Sequence, residues 1–154
     1  METLEQRKRR LFGKQYLNDY LSVLNKLSLI KIENKDLLSI VETDKIIDKA
    51  SSLLLNNSLK IEFSNKDELK KEILNIFNYQ DRVYLFTSLS EDCGTVDINL
   101  LNEFNFNFNY NDDISGIIIL ISTLREKKIL LDFYEEDEKK YIEIEFYSIQ
   151  NGME

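Results

Sequence analysis

The chain has no histidine, no proline, a single cysteine and four isolated glycines. Without histidine it lacks the side chain that ordinarily titrates near neutral pH, so the usual catalytic triad and an imidazole ligand for zinc are both missing. Cys93 has no partner for an intramolecular disulfide, which fits a reducing compartment. In Glu91-Asp92-Cys93-Gly94 no cation stands beside the thiol and Asp92 opposes its ionisation, so the residue reads as a small buried cysteine at a turn. The glycines at 13, 94, 116 and 152 never gather into a phosphate-binding loop. The longest aliphatic run, Ile117–Ile121, is far shorter than the roughly 20 residues of a membrane helix. Lys14 and Asp19 interrupt the apolar stretch that a signal peptide would place after Arg7-Lys8-Arg9-Arg10. The expectation is a cytoplasmic protein with no membrane, metal or cofactor.

What is present is a foldable, acidic chain. Its 154 residues suit one α+β domain spanning 1–154, and 43% hydrophobic content with eight Tyr and nine Phe supplies a core. The charge is uneven. Residues 1–31 hold seven Lys/Arg against three Asp/Glu, a balance of +4; the remainder holds thirteen against twenty-five, a balance of −12. Such a body repels nucleic acid and speeds encounter with a basic protein, although solubility alone produces the same sign. The Arg7–Arg10 cluster, with no interleaved aromatic, reads as a solvated helix end.

The apolar spacing predicts a long amphipathic helix from Leu4 to about Leu29 and a second helical region from Asp36 to about Asn57, with Asp44 as a cap before Ile46. Leu59–Phe63 alternates like a short strand, and Asn65 with Glu68 opens a further helix to about Asn78. Beyond Asp81 strands take over. Arg82–Thr87 and Ile117–Ile121 read as central strands, and Ile129–Tyr134 with Tyr141–Tyr147 as a hairpin around Glu135–Lys140. Val96–Phe104 reads as a short helix. Helices before residue 80 and strands after it make an α+β fold, a helical N-terminal half packed on a largely antiparallel sheet from the C-terminal half.

Residues 103–113 read EFNFNFNYNDD. Extended, this segment puts Phe104, Phe106, Phe108 and Tyr110 on one face and four asparagines on the other. A half-buried strand is expected, with the aromatics in the core and the asparagines facing water or a partner.

Val83-Tyr84-Leu85-Phe86 leading into Asp92-Cys93-Gly94, then Ile117–Thr123, then Leu130–Glu136 and a tyrosine-rich last strand resemble small cytoplasmic immunity proteins of bacterial polymorphic toxin systems. The match lies mainly in residues 82–148. The resemblance implies an antitoxin that binds a sibling-delivered toxin domain, often a nuclease, and blocks its active site or substrate path. It carries over no catalytic residue and no binding site residue by residue. Charge supplies the candidates instead: Asp112 and Asp113 after the aromatic segment, and Glu135, Glu136, Asp137 and Glu138 on the hairpin, with Tyr110, Tyr134 and Tyr141 as aromatic anchors against the Lys and Arg of a basic nuclease domain. The same acidic string could offer oxygens to a hard cation, but it lacks the alternating spacing and turn glycine of a calcium loop. Two other classes stay open: an acidic adaptor module with no toxin partner, and an enzyme.

Overall fold

The computed structural model describes residues 1–98, 101–110, 116–124 and 126–149. Helix α1, Leu4–Gly13, opens in a reciprocal cap: the Thr3 hydroxyl accepts from the Gln6 amide and the Gln6 side chain accepts from the Thr3 amide. The long helix expected here is broken. A 3-10 turn, Lys14–Tyr16, follows, and the backbone leaves helical geometry at Tyr16 before α2, Leu17–Leu27. Gly13 sits where any Cβ would collide with the carbonyl of Asp92, so the missing side chain lets two segments touch. Helix α2 then buries Tyr20, Leu24 and Leu27 on one stripe.

Helix α3, Ile40–Ala50, is capped by Ser39, whose hydroxyl accepts from the Glu42 amide at 3.1 Å. The expected cap, Asp44, lies inside the helix and bonds Gln6 and Arg9 of α1. The helical reading to Asn57 also fails. The chain turns after Ala50, and Leu54–Glu62 is strand β1. Asn56, Asn57 and Ser58 are weak helix formers, and pairing with a distant strand overrides the local apolar spacing. Helix α4, Lys66–Leu74, starts at Asn65 as expected, with the Asn65 side chain accepting from the Glu68 amide, but ends at Leu74 rather than near Asn78.

The C-terminal half supplies β2 (Val83–Phe86), a single-turn helix α5 (Ser90–Cys93), β3 (Val96–Ile98), β4 (Ile117–Ser122), β5 (Lys127–Glu136) and β6 (Lys139–Ser148). These strands and β1 form one six-stranded sheet in the order β1-β6-β5-β4-β2-β3, and every pairing is antiparallel. The fold is therefore α+β, with a helical N-terminal half against an antiparallel sheet. The helix expected over Val96–Phe104 is instead β3 and a 3-10 turn at Leu101–Glu103, while residues 99 and 100 lie outside the described residues. The spacing of Ile98, Leu100, Leu101 and Phe104 suggests a helix, but Val83↔Ile98 and Leu85↔Val96 pairing fixes Val96–Ile98 as strand.

The aromatic segment keeps its burial pattern without being a strand. Phe104, Phe106 and Phe108 are buried and Asn107 and Asn109 exposed, with Asn105 and Tyr110 between. Among the segment's described residues, 103–110, only Phe104 forms a bridge, to Ser28. Main-chain bonds flank that bridge, Leu29 to Glu103 and Asn105 to Leu27, and beyond them the Asn105 side chain takes over: its amide group donates to the Lys26 carbonyl at 2.9 Å and its oxygen accepts from the Asn107 amide at 3.0 Å.

One face of the sheet, the inner face, buries Val83, Leu85, Ile118, Leu120, Ile129, Leu131, Phe133, Ile142, Ile144 and Phe146 in a core shared with α2, α4 and the aromatic segment. On the outer face α3 brings Ile46 and Ala50, with Leu53, against Phe86 and Ile121. A buried polar knot pins the helices down: the Tyr20 hydroxyl donates to the Gly94 carbonyl at 2.5 Å and lies 2.9 Å from Ser90, and the Thr95 amide donates to Thr43. Each group is satisfied, as burial requires. Gly94, at φ 97°, passes beneath the Leu38 carbonyl where a side chain has no room.

Candidate functional site

The hairpin of β5 and β6 runs in register from Lys127↔Ser148 to Glu136↔Lys139. Only Asp137 and Glu138 are left for the turn, and both adopt left-handed backbone, φ 53° and 68°. Two consecutive positive φ values define the tight connection whose twist matches that of its strands. The tip is thus shorter than Glu135–Lys140, and Glu135 and Glu136 belong to the ladder, opposite Lys140 and Lys139.

Alternation along each strand then sorts the candidate residues onto opposite faces. Tyr134, Glu136 and Tyr141 come together on the outer face. Tyr134 and Tyr141 are direct cross-strand neighbours with ring centroids 6.1 Å apart. Lys60 of β1 joins them, its ammonium 2.8 Å from Glu136 Oε1 and 4.2 Å from the Tyr141 ring centre. Tyr110 lies on the inner side, against Phe63 and Phe133, with Lys140 over its ring at 4.9 Å. Burial, then the charges of Glu135 and Asp132, push the Tyr110 hydroxyl above its ordinary range. Asp137 and Glu138 make no ion pair among the described residues. Asp112 and Asp113 lie outside the described residues.

The outer face continues beyond these residues in rows fixed by register. Next to the tyrosine pair stands Lys60–Glu143–Asp132–Ile117, and next to that Ser58–Glu145–Leu130–Ile119. Beyond them Tyr147 pairs with Lys128, whose ammonium lies 4.3 Å from the ring centre. The Tyr147 hydroxyl donates to Glu145 Oε1 at 2.6 Å. That bond to a carboxylate, with burial, pushes the hydroxyl up to about 12. Burial lowers the Lys128 ammonium below its ordinary range, with Glu145 opposing. Helix α3 covers the far end of this face, at Phe86 and Ile121. Its cluster reaches Tyr147 and Ile119, but among the described residues no helix covers the face around Tyr134, Tyr141, Asp132 and Glu143: these and Glu145 are all half-buried, and Ile117 is 38% exposed.

Sequence reasoning missed Asp132, Glu143, Glu145 and Tyr147. The signal was there in part, since Tyr141 and Glu143 alternate against Ile142 and Ile144. What places Asp132 beside Glu143 is the two-residue turn, which sets the register and has no sequence signature in Asp-Glu.

The other candidate chemistry is quiet. The Cys93 thiol donates to the Gly13 carbonyl, and burial, with the charge of Asp92, pushes it up to about 11, unlike a nucleophile. Arg9 and Arg10 of the basic cluster are bound by Asp44 and Glu2, so that helix end is partly structural. Among the described residues no group of three or more His, Cys, Asp or Glu side chains is placed to hold a metal ion, and no helix is long and apolar enough to cross a membrane. No protein-family model, curated protein or solved structure matches the chain.

Proposed function

We propose that this chain is a cytoplasmic immunity protein that neutralises a cognate toxin domain, a basic nuclease, by covering it with an acidic surface. The observation that carries the reading is the outer face, where half-buried tyrosines alternate with carboxylates, two of which, Asp132 and Glu143, no cation among the described residues neutralises. Protein interfaces concentrate energy in such aromatics, while the charge steers a partner of opposite sign. The hairpin tip adds support. Two acidic residues occupy left-handed positions that Asn and Gly fill at lower cost, so local stability is given up where two exposed carboxylates stand. The resemblance of residues 82–148 to polymorphic-toxin immunity proteins narrows the partner to a toxin.

Co-expression tests this. Cells producing the toxin domain encoded beside this reading frame are expected to survive when this chain is present, and the two proteins to co-purify at low ionic strength. If the neighbouring frame encodes no toxin and pull-downs recover no basic protein, the immunity reading falls and the acidic adaptor replaces it.

A further inference from the structure

We infer that the outer face of β1, β6 and β5 docks an arginine-bearing segment of a partner protein, with one guanidinium received between Asp132 and Glu143 against the tyrosine pair. The inference rests on the partner being a basic protein, and it adds the place and the chemistry of recognition.

The face already shows how it holds a cation. In the row of Tyr134 and Tyr141, Lys60 sits over a tyrosine ring with a carboxylate on its nitrogen. In the row of Tyr147, Lys128 lies over the ring and the hydroxyl occupies Glu145. Asp132 and Glu143 stand between these two rows. Lys60 is opposite Glu143 in register, yet its ammonium turns away to Glu136, and no hydrogen bond or ion pair reaches either carboxylate among the described residues. Among the described residues the row with two facing carboxylates has its only lysine turned out of it, so neither Asp132 nor Glu143 is paired with a cation.

Directly opposed residues have Cβ atoms about 4.5–5.5 Å apart. Two carboxylates at that spacing can accept from both edges of a single guanidinium, whose donors are planar and fixed, whereas one ammonium offers a point charge to either. Tyr134 and Tyr141 supply flat rings in the row on one side, Leu130 stands beside Glu145 in the row on the other, and Ile117 closes the end of the carboxylate row next to Asp132. Charge complementarity selects a basic partner segment over a second copy of this chain, whose −12 body would be repelled from the same face.

The test uses the intact protein and two probe peptides of one length, polar residues alternating with four arginines in one and four lysines in the other, titrated by NMR at low salt. The arginine peptide is expected to bind at least about tenfold tighter, with shifts centred on residues 130–134 and 141–145. Asp132→Asn and Glu143→Gln, both of which relieve repulsion and should fold, are expected to bring it down to the lysine peptide. Asp19→Asn, an exposed carboxylate on α2 away from this face, is expected to leave the preference unchanged. Equal affinity for the two peptides overturns the inference, as does shift confined to the tip, or concentration-dependent self-association abolished by Asp132→Asn. Failure of toxin rescue with the arginine preference intact removes the immunity reading alone; rescue with no preference removes this inference alone.

Discussion

Asp132 and Glu143 face each other directly across β5 and β6, two carboxylates in adjacent positions of one sheet row with no cation between them. Like charges so placed destabilise a strand pair. Asp132→Asn is therefore expected to raise stability by about 0.2–1 kcal/mol in urea denaturation at low ionic strength, with the gain shrinking as salt screens the wild-type pair. An Asp132→Asn protein less stable than wild type at low salt would mean that the row is not repulsive.

The aromatic segment separates burial from conformation. Phe108 is fully buried among Phe63, Phe104 and Phe133, and Phe108→Ala is expected to cost about 3–5 kcal/mol. Asn107→Ala should stay within about 0.5 kcal/mol, while Asn105→Ala should cost about 1 kcal/mol because it removes the bonds to Lys26 and Asn107. Equal losses at 105 and 107 would show that the turn does not depend on that side chain.

Which residues of that segment are buried was legible from alternation, because any extended backbone points alternate side chains in opposite directions. That it is not a strand was not legible, because the asparagine bonds that replace a ladder depend on where Lys26 and Leu27 end α2. The hairpin was readable for the opposite reason: Ile142, Ile144 and Phe146 must face the core together, which leaves one alignment of faces. The candidate site was half legible. Tyr134, Glu136 and Tyr141 do meet, but Glu135 and Tyr110 are on the other side, and the Asp132–Glu143 row follows only from register.

Ser39 and Asp44 give a test of which residue starts α3. Ser39→Ala is expected to cost about 0.5–2 kcal/mol as a lost cap. Asp44→Ala should act instead through Arg9 of α1, so in a double-mutant cycle Asp44→Ala and Arg9→Ala are non-additive whereas Ser39→Ala and Arg9→Ala add. Additivity of the Arg9–Asp44 pair would deny that it docks α1 onto α3.

Tyr147 predicts an alkaline transition. Its hydroxyl is held up to about 12 by the bond to Glu145 and by burial. A folded-state value above the unfolded one, ordinarily about 10, contributes stability in full below pH 10 that is lost as pH rises through about 12. Ultraviolet titration should find a late-ionising tyrosine that disappears in Tyr147→Phe, and Glu145→Gln should move it back towards the ordinary range. A Tyr147 that titrates with the exposed tyrosines would exclude the hydrogen bond in solution.

The hairpin tip should trade stability against association. Glu138 occupies left-handed backbone at φ 68°, where a residue with a side chain costs about 1–2 kcal/mol and glycine about half that or less. Glu138→Gly is therefore expected to raise the urea midpoint, a net gain of up to about 1 kcal/mol. If the tip steers a basic partner, reversal of Glu135, Glu136, Asp137 and Glu138 to Lys should slow association with the co-expressed toxin and flatten its fall with added salt, because the electrostatic part of the rate is what salt screens. Dissociation should change little, since residence depends on the desolvated centre of an interface rather than on its rim. A reversed tip that associates at the wild-type rate would confine recognition to the sheet face, and one that dissociates far faster would place the tip at the interface centre instead.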